Sequence, residues 1–230
     1  MFGAAAGPLG INFYVWSGWG VIVILTILSI LATRNMKLIP SGFQNVVELL
    51  IEGLYGLLEG MLDEERIKKY FPLLCTFFLY ILVSNYFGLL PFVGYTPESP
   101  EKGVGLGIFI PPTANLSVTA ALAIIVFFST HFFGVATSGL KYFKHLFTPM
   151  WWMFPLNVVE EIVRPVSLAM RLYGNIFGHE LVVGTLFVMV PMLVPVPINL
   201  LGTLTGAIQA FVFTLLTTLY IAGATEKHGH

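Results

Sequence analysis

The chain has 230 residues, of which 57% are hydrophobic and 10% charged, and its formal net charge is −1. Soluble domains carry about 25% charged residues, so this composition excludes a soluble globular protein and indicates an integral membrane protein. The small net charge and the absence of a basic run argue against nucleic-acid binding. The single cysteine, Cys75, excludes an intramolecular disulfide, and no metal-ligand spacing is present, so we expect neither a metal ion nor a cofactor.

The first hydrophobic stretch, residues 11–32, is long enough to cross the hydrocarbon core of a bilayer. Trp16 and Trp19 suit one membrane interface, and Arg34 follows at the other end. No positive charge precedes the stretch, as one would in a secretory signal, so it is predicted to be a retained membrane helix.

Residues 41–63 form the next predicted element. Acidic and polar side chains recur there at helical spacing against a leucine-rich face, which predicts an amphipathic helix at the cytoplasmic surface of the membrane. Its polar face is acidic, so packing against a partner subunit or the membrane surface explains it better than attraction to anionic lipid. A simple solvated face explains the individual glutamates equally well.

Two further membrane spans are predicted at residues 70–90 and 113–133. Asn85, near the end of the first, suits a helix–helix hydrogen bond better than a water path. Asn115, at the start of the second, suits a water-accessible path and, equally, a helix cap or an interhelical amide contact.

The basic residues predict the orientation of the chain. With the N-terminus outside and the C-terminus in the cytoplasm, eight lysines and arginines lie on the cytoplasmic side, and Lys102 alone lies outside. Arg164 and Arg171 fall within the membrane. We expect one membrane domain spanning residues 1–230.

Two long apolar segments close the chain, at residues 155–190 and 198–224. A helix of about 35 residues is roughly 50 Å long, whereas the hydrocarbon core is about 30 Å thick, so these helices should be strongly tilted, kinked or broken. Gly202 and Gly206 predict close packing of the last helix against its predecessor. The sequence thus predicts an all-α integral membrane protein with about five membrane helices and one amphipathic surface helix.

The first of these long segments contains the most unusual residues in the chain. A charge near the bilayer centre costs at least about 2.5–3.5 kcal/mol, so it normally faces a protein interior or a wet cavity. Helical spacing places one polar stripe on this segment: Glu161, Arg164, Arg171, Asn175 and His179. Small residues lie beside that stripe and leave a shallow surface for another helix: Ser167, Gly174 and Gly178. For Glu160 and Glu161, a position at the membrane interface is an equally good interpretation.

Several motifs carry a resemblance to a known family. Residues 164–168 read RPVSL, residues 170–175 read MRLYGN, and Glu180 is followed by leucine. Residues 88–91 (GLLP), the proline–asparagine–threonine pattern around Asn115 and the element QAF at Gln209 add to it. Together these motifs resemble subunit a of F-type ATP synthases over most of residues 40–225.

The resemblance implies a non-catalytic subunit that stands beside a rotating ring of c subunits and contacts the b subunits of the peripheral stalk. It implies that Arg171 separates two aqueous half-channels and prevents direct proton leakage. Asn175 and Gln209 would support the arginine or the rotor carboxylate. Glu180, with His179 and Asn115, would line the outer path, and the cytoplasmic path would be lined by Glu161, with Glu160 as a further candidate.

Two features depart from the family pattern. Some members have a histidine or glutamate seven residues before the glutamine, where this chain has Gly202, and His179 could supply that group from the neighbouring helix. Arg164 is a second cation in the membrane, and we expect it to pair with Glu160 or Glu161.

The alternative functional class is a secondary transporter with an intramembrane site of arginine, glutamate and histidine, although the internal repeats typical of that class are not evident. A purely structural scaffold would leave Arg171 and Glu180 unexplained. The resemblance favours a bacterial plasma membrane over a chloroplast thylakoid, and the residues favour H⁺ over Na⁺ only weakly.

Overall fold

The computed structural model describes residues 13–34, 42–87, 111–139, 154–189 and 195–225. These ranges contain six α-helices, one short 3₁₀ turn and no strand. The helices are α1 (Phe13–Thr33), α2 (Phe43–Glu59), α3 (Glu64–Phe87), α4 (Leu116–Ser138), α5 (Phe154–Met189) and α6 (Pro195–Thr225), and the 3₁₀ turn at Pro112–Ala114 precedes α4. The predicted all-α class is confirmed.

The helices share one large apolar core. Helix α3 packs against α1, α2 and α6, and α4 packs against α5 and α6. The core contains buried side chains from five helices, among them Leu58, Ile81, Val126, Leu172 and Phe213. Helix α1 lies at the edge of this assembly, because its contacts run mainly to α3 and most of its side chains are exposed.

Four helices in the described ranges are long and apolar enough to cross a membrane: α1, α3, α4 and α6. Many of their outward-facing side chains are large and apolar, including Trp19, Ile27 and Phe132. Such a surface is unfavourable in water and suits lipid. The buried hydroxyls of Thr214 and Thr217 donate hydrogen bonds to carbonyls four residues earlier in α6, so the interior of that helix carries few unsatisfied polar groups.

Helix α5 is not among those four helices and contains several charged side chains. It is continuous for 36 residues, with Pro165 inside it, and is therefore about 54 Å long. Helix α6 has 31 residues. Both exceed the roughly 30 Å of a perpendicular crossing, so the excess length predicted for these two segments is observed.

The boundary between α2 and α3 differs from the prediction. The amphipathic helix ends at Glu59, with Gly60 as its C-cap, rather than at residue 63. Helix α3 then begins at Glu64 rather than at residue 70, with two glutamates in its first turn, where the positive end of the helix dipole favours acidic groups. The charges at Arg66, Lys68 and Lys69 belong to the helix. The predicted end of this span, residues 88–90, lies outside the described residues.

The predicted span at residues 113–133 also shifts. Residues 112–114 form the 3₁₀ turn, and α4 begins only at Leu116, because Asn115 adopts an extended backbone conformation as the N-cap. At the other end α4 continues to Ser138 and stops at Gly139, whose φ of 62° is in the left-handed region that favours glycine.

Candidate functional site

Two residues of the predicted polar stripe of α5, Asn175 and His179, face α6. The Asn175 amide donates a long hydrogen bond to the carbonyl oxygen of Thr205, at 3.4 Å. One turn later, Nε2 of His179 lies 3.2 Å from the carbonyl oxygen of Ile198. The two helices therefore run antiparallel, with residues 175 and 179 on the side of α5 that contacts α6.

Other residues of α5 form an exposed stripe that includes Arg171, so the predicted polar stripe is divided between two faces of the helix. The exposed stripe is formed by Val163, Val166, Ser167, Met170, Arg171, Gly174, Leu181 and Val182. A Cβ atom added to Gly174 or Gly178 would meet nothing within 4 Å, so the surface beside Arg171 is open. The three small residues predicted to form a shallow surface thus lie along it, with Gly178 half-buried and the other two exposed.

Arg171 lies on this open surface. Its side chain is exposed, and within the described ranges it has no hydrogen bond, ion pair or aromatic partner. Its neighbours on the stripe, Met170 and Gly174, offer no charge to it. An arginine in this position can bind a negative group only if that group comes from outside these parts of the chain.

Gln209 of α6 comes level with Arg171. In the antiparallel pair, Thr205 lies opposite Asn175, and moving four residues along each helix brings Gln209 opposite Arg171. Gln209 is buried, at 7% exposure, and its Nε2 has no hydrogen-bond partner in the described residues. The predicted contact between Gln209 and Arg171 is not formed in this arrangement, although the helix register allows it.

Arg164 lies apart from Arg171 and has acidic partners. Its guanidinium lies 2.7 Å from Oε1 of Glu160 and 3.4 Å from Oε2 of Glu161, and it stands over the ring of Tyr220 at 5.5 Å. The predicted pairing of Arg164 with these glutamates is confirmed, and it involves both of them. Glu161 has a further neighbour in His131 of α4, whose Nε2 lies 3.4 Å from Oε1 of Glu161.

His179 and Glu180, which were predicted for the outer path, lie on two different faces of α5. The imidazole of His179 packs on Gly202 of α6, and a Cβ atom at position 202 would overlap the ring. Glu180 points about 100° away from His179 around the helix. It is half-buried, and its carboxylate interacts electrostatically with Tyr14 of α1. The two residues are neighbours in sequence, but they face different helices.

Comparison with known proteins was decisive for the family. Residues 15–222 match the sequence profile of the family described as ATP synthase A chain. The chain is 44% identical over 213 residues to ATP synthase subunit a of Geobacter sulfurreducens, and the aligned region covers 91% of this chain and 86% of that protein. It is 44% identical over 225 residues to ATP synthase subunit a of Moorella thermoacetica, covering 97% and 94% of the two chains.

The chain belongs to the ATP synthase A chain family. It is therefore a subunit of the membrane sector of an ATP synthase complex, and its four apolar helices make it a multi-pass membrane protein. Both relatives are bacterial, and the match extends over nearly all of the described residues of the subunit.

Two asparagines of the subunit have structural partners. Asn85 donates from Nδ2 to the carbonyl oxygen of Gly206 at 2.9 Å and accepts from the hydroxyl of Thr113 at 2.9 Å, so the predicted helix–helix hydrogen bond is confirmed. Asn115 accepts from the backbone N–H of Ser117 at 2.8 Å. The cap is thus one observed role of Asn115, and its place on a water path stays a prediction.

His131 and Tyr14 were not predicted to be site residues, although they lie close to the predicted site residues Glu161 and Glu180. His131 is an isolated histidine in an apolar span, and nothing in its surroundings in the sequence points to Glu161. Tyr14 packs against Ala114 and Ile176, close to Glu180, and the sequence offered only an aromatic residue in the first turn of a membrane helix. In the described ranges, no group of three or more histidine, cysteine or acidic residues is placed to hold a metal ion.

Proposed function

We propose that this subunit is the stator of the proton path, and that the exposed stripe of α5 is the surface along which the c-ring turns. The observation that carries the proposal is Arg171, an exposed cation on an apolar helix face beside an open glycine surface. A charge of this kind in lipid costs at least about 2.5–3.5 kcal/mol. A carboxylate on a passing rotor subunit would offset that cost.

The acidic residues lie on either side of Arg171. Glu161 is ten residues before it in α5 and Glu180 is nine residues after it, so the three levels are separated by about 15 Å and 13 Å of helical rise. This spacing suits two half-channels that do not meet. Glu180, His179 and Asn115 would line the outer path, and Glu161 would line the cytoplasmic path with Glu160.

Arginine suits the barrier between two such paths. A rotor carboxyl group must be neutral in lipid, and a nearby positive charge favours its ionised form, so the proton leaves as the group approaches Arg171. A guanidinium is not deprotonated in proteins, so Arg171 cannot pass a proton directly from one path to the other. Protons must then travel on the rotor, and rotation is coupled to their flow.

The polar groups at the level of Arg171 fit this mechanism. Asn175 binds Thr205 only at 3.4 Å, and the amide nitrogen of Gln209 has no partner among the described residues, so both side chains can turn to a rotor carboxylate, to the guanidinium or to water. Buried amides normally have partners, because an unpaired one costs about 1–3 kcal/mol. The open surface at Gly174, Gly178 and Ser167 would allow the rotor helix to approach.

The remaining partners and the orientation follow the same proposal. The subunit would lie in a bacterial plasma membrane with its N-terminus outside and its C-terminus in the cytoplasm, and it would contact the b subunits of the peripheral stalk as well as the c-ring. It would contain no catalytic site, since the chemistry of ATP belongs to other subunits. Its contribution would be to load and unload rotor carboxylates.

Reconstitution of the whole complex in vesicles tests the proposal. Arg171→Ala should abolish proton-driven ATP synthesis and ATP-driven proton pumping, while the detached soluble sector still hydrolyses ATP. Arg66→Ala is the matched control, because Arg66 is an arginine that forms an ion pair with Asp63 in the first turn of α3, away from the stripe. Coupled synthesis that survives Arg171→Ala would overturn the proposal.

A further inference from the structure

His131 and Glu161 form a pair between α4 and α5. Nε2 of His131 lies 3.4 Å from Oε1 of Glu161, and the two side chains are 21% and 23% exposed. Nδ1 of His131 lies 2.8 Å from the carbonyl oxygen of Phe127, one turn earlier in α4. The ring also packs against the Phe127 ring, with centroids 4.1 Å apart. The imidazole is therefore held in one orientation.

These contacts determine where protons can sit. A carbonyl oxygen can only accept a hydrogen bond, so Nδ1 of His131 must carry a proton to make its short contact with Phe127. Without a second proton, Nε2 would turn a lone pair toward the carboxylate of Glu161, and that contact would be repulsive. An attractive contact requires one proton between the two groups, on Nε2 or on the carboxyl group.

The surroundings allow that proton to exchange. A cleft with about 270 Å³ of empty space, including space open to the outside, is lined by His131, Glu161, Arg164, Pro165, Thr130 and Tyr220, together with two apolar side chains of α4. The Thr130 hydroxyl has no hydrogen-bond partner in the described residues and can bind a water molecule there. Among the described residues that line this cleft, the titratable and charged groups beside His131 are Glu161 and Arg164 from α5 and Tyr220 from α6.

We propose that His131 and Glu161 act as a single one-proton site in the cytoplasmic release path, with His131 as a proton-relay residue of the subunit. This inference rests on the proposed function of Arg171 and extends it to a residue on a different helix. Arg164 would hold the second carboxylate oxygen of Glu161 at 3.4 Å, leaving the first oxygen to share the proton with His131. The pair would give its shared proton to water in the cleft and would then take up a proton released near Arg171, so that the number of protons on the pair is restored.

The test measures proton flow through the whole complex in vesicles as the pH on the cytoplasmic face is varied. His131→Gln keeps an amide that can donate to Glu161, but the amide cannot take up or release a proton as imidazole does. We expect this variant to lose the component of the proton flow that depends on the proton shared by His131 and Glu161. The pH of half-maximal flow should move by about one unit, a tenfold change in proton concentration.

Two comparisons make the test specific to the pair. Glu161→Gln should remove the same pH-dependent component, and the double variant should be no slower than Glu161→Gln alone, because residues of one relay act as a unit. His179→Gln is the matched histidine control, and it should alter the dependence on the pH of the opposite face. His131→Asn provides a second variant if His131→Gln assembles poorly, and all rates are normalised to assembled complex.

The outcomes separate the two proposals. An unchanged pH profile in His131→Gln or His131→Asn, or losses that simply multiply in the double variant, would overturn the relay. If the relay is overturned but Arg171→Ala abolishes coupling, the stator proposal stands without the relay. If Arg171→Ala retains coupling, the stator proposal fails, whatever His131 does.

Discussion

The imidazole of His179 occupies the space into which a side chain at Gly202 would extend. The ring reaches across from α5 to α6, where its Nε2 lies 3.2 Å from the carbonyl oxygen of Ile198. The resemblance implies that His179 could supply the titratable side chain that some family members carry at the position of Gly202. In the structure the histidine and the glycine are complementary in shape, because the absence of a Cβ at one position makes room for the ring at the other.

This complementarity predicts that Gly202→Ala destabilises the subunit. The added methyl group would displace the His179 ring from the Ile198 carbonyl, and overpacking of this kind costs about 1–3 kcal/mol of unfolding free energy. In a His179→Ala background the same change should be neutral or stabilising, by up to about 1 kcal/mol, since alanine is favoured over glycine in a helix. Unfolding in detergent measures both values.

Gly174→Ala is the control for that experiment. Nothing lies within 4 Å of a Cβ atom added at Gly174, so this change should not destabilise the isolated subunit. The packing of His179 on Gly202 would not limit the residue at position 202 if Gly202→Ala lowered the unfolding free energy no more than Gly174→Ala does. The same conclusion would follow if the loss were equal with and without His179.

The open surface at Gly174 also yields a prediction about the rotor. Gly174→Leu should leave the isolated subunit folded, but it should strongly reduce ATP-driven proton pumping, because the added side chain would fill the surface that the rotor helix approaches. Gly56→Leu is the matched control, since Gly56 of α2 is equally exposed and has equally open space. Equal pumping by the two variants would argue against a rotor surface at Gly174.

We expect the loss of the Gln209 side chain to impair the assembled complex without destabilising the isolated subunit. The Gln209 amide nitrogen is buried and has no partner in the part of the chain that the structure describes, so Gln209→Leu removes an unsatisfied donor and should leave the unfolding free energy unchanged or raise it by up to about 1–3 kcal/mol. Coupled ATP synthesis should nevertheless fall, because a group at the level of Arg171 is lost. The combination of a stable subunit with impaired coupling is the diagnostic result.

Thr218→Val provides the comparison for Gln209. The Thr218 hydroxyl is buried in the same helix but already donates to the carbonyl oxygen of Thr214 at 2.8 Å. This variant should have little effect on coupling. A loss of stability in Gln209→Leu, of the size expected for a broken hydrogen bond, would show that the amide has a partner within the subunit.

The hydrogen bonds of Asn85 in α3 predict a measurable coupling energy between its side chain and that of Thr113. Asn85 joins the carbonyl oxygen of Gly206 in α6 to the hydroxyl of Thr113 in the 3₁₀ turn. A double-mutant cycle of Asn85→Ala and Thr113→Val should give a coupling energy of about 0.6–1.7 kcal/mol, the range for hydrogen bonds between membrane helices. Unfolding in detergent provides the measurement, and strictly additive losses would contradict the contact.

Several features of the fold could be predicted because they depend on local sequence. Helix spans follow from runs of apolar residues and from their spacing, so α5 and α6 were placed to within about three residues. The ends at Glu59 and Glu64 were missed, because the amphipathic pattern was followed to residue 63 and the next span was begun only at the apolar run from residue 70. Of the predicted packing of Gly202 and Gly206 against α5, only that of Gly202 is observed, since Gly206 faces α3, where a Cβ atom added to it would lie 3.2 Å from the Cβ of Asn85.

The sequence by itself determined that this is an all-α membrane protein with one exceptional cation, because hydropathy and helical period are properties of consecutive residues. It also carried the motifs by which the family is recognised. Only the tertiary structure decided that Arg171 is exposed, that His179 packs on Gly202 and that His131 meets Glu161. Those relationships depend on which helices pack together and on how each is rotated about its axis, and residues far apart in the chain decide both.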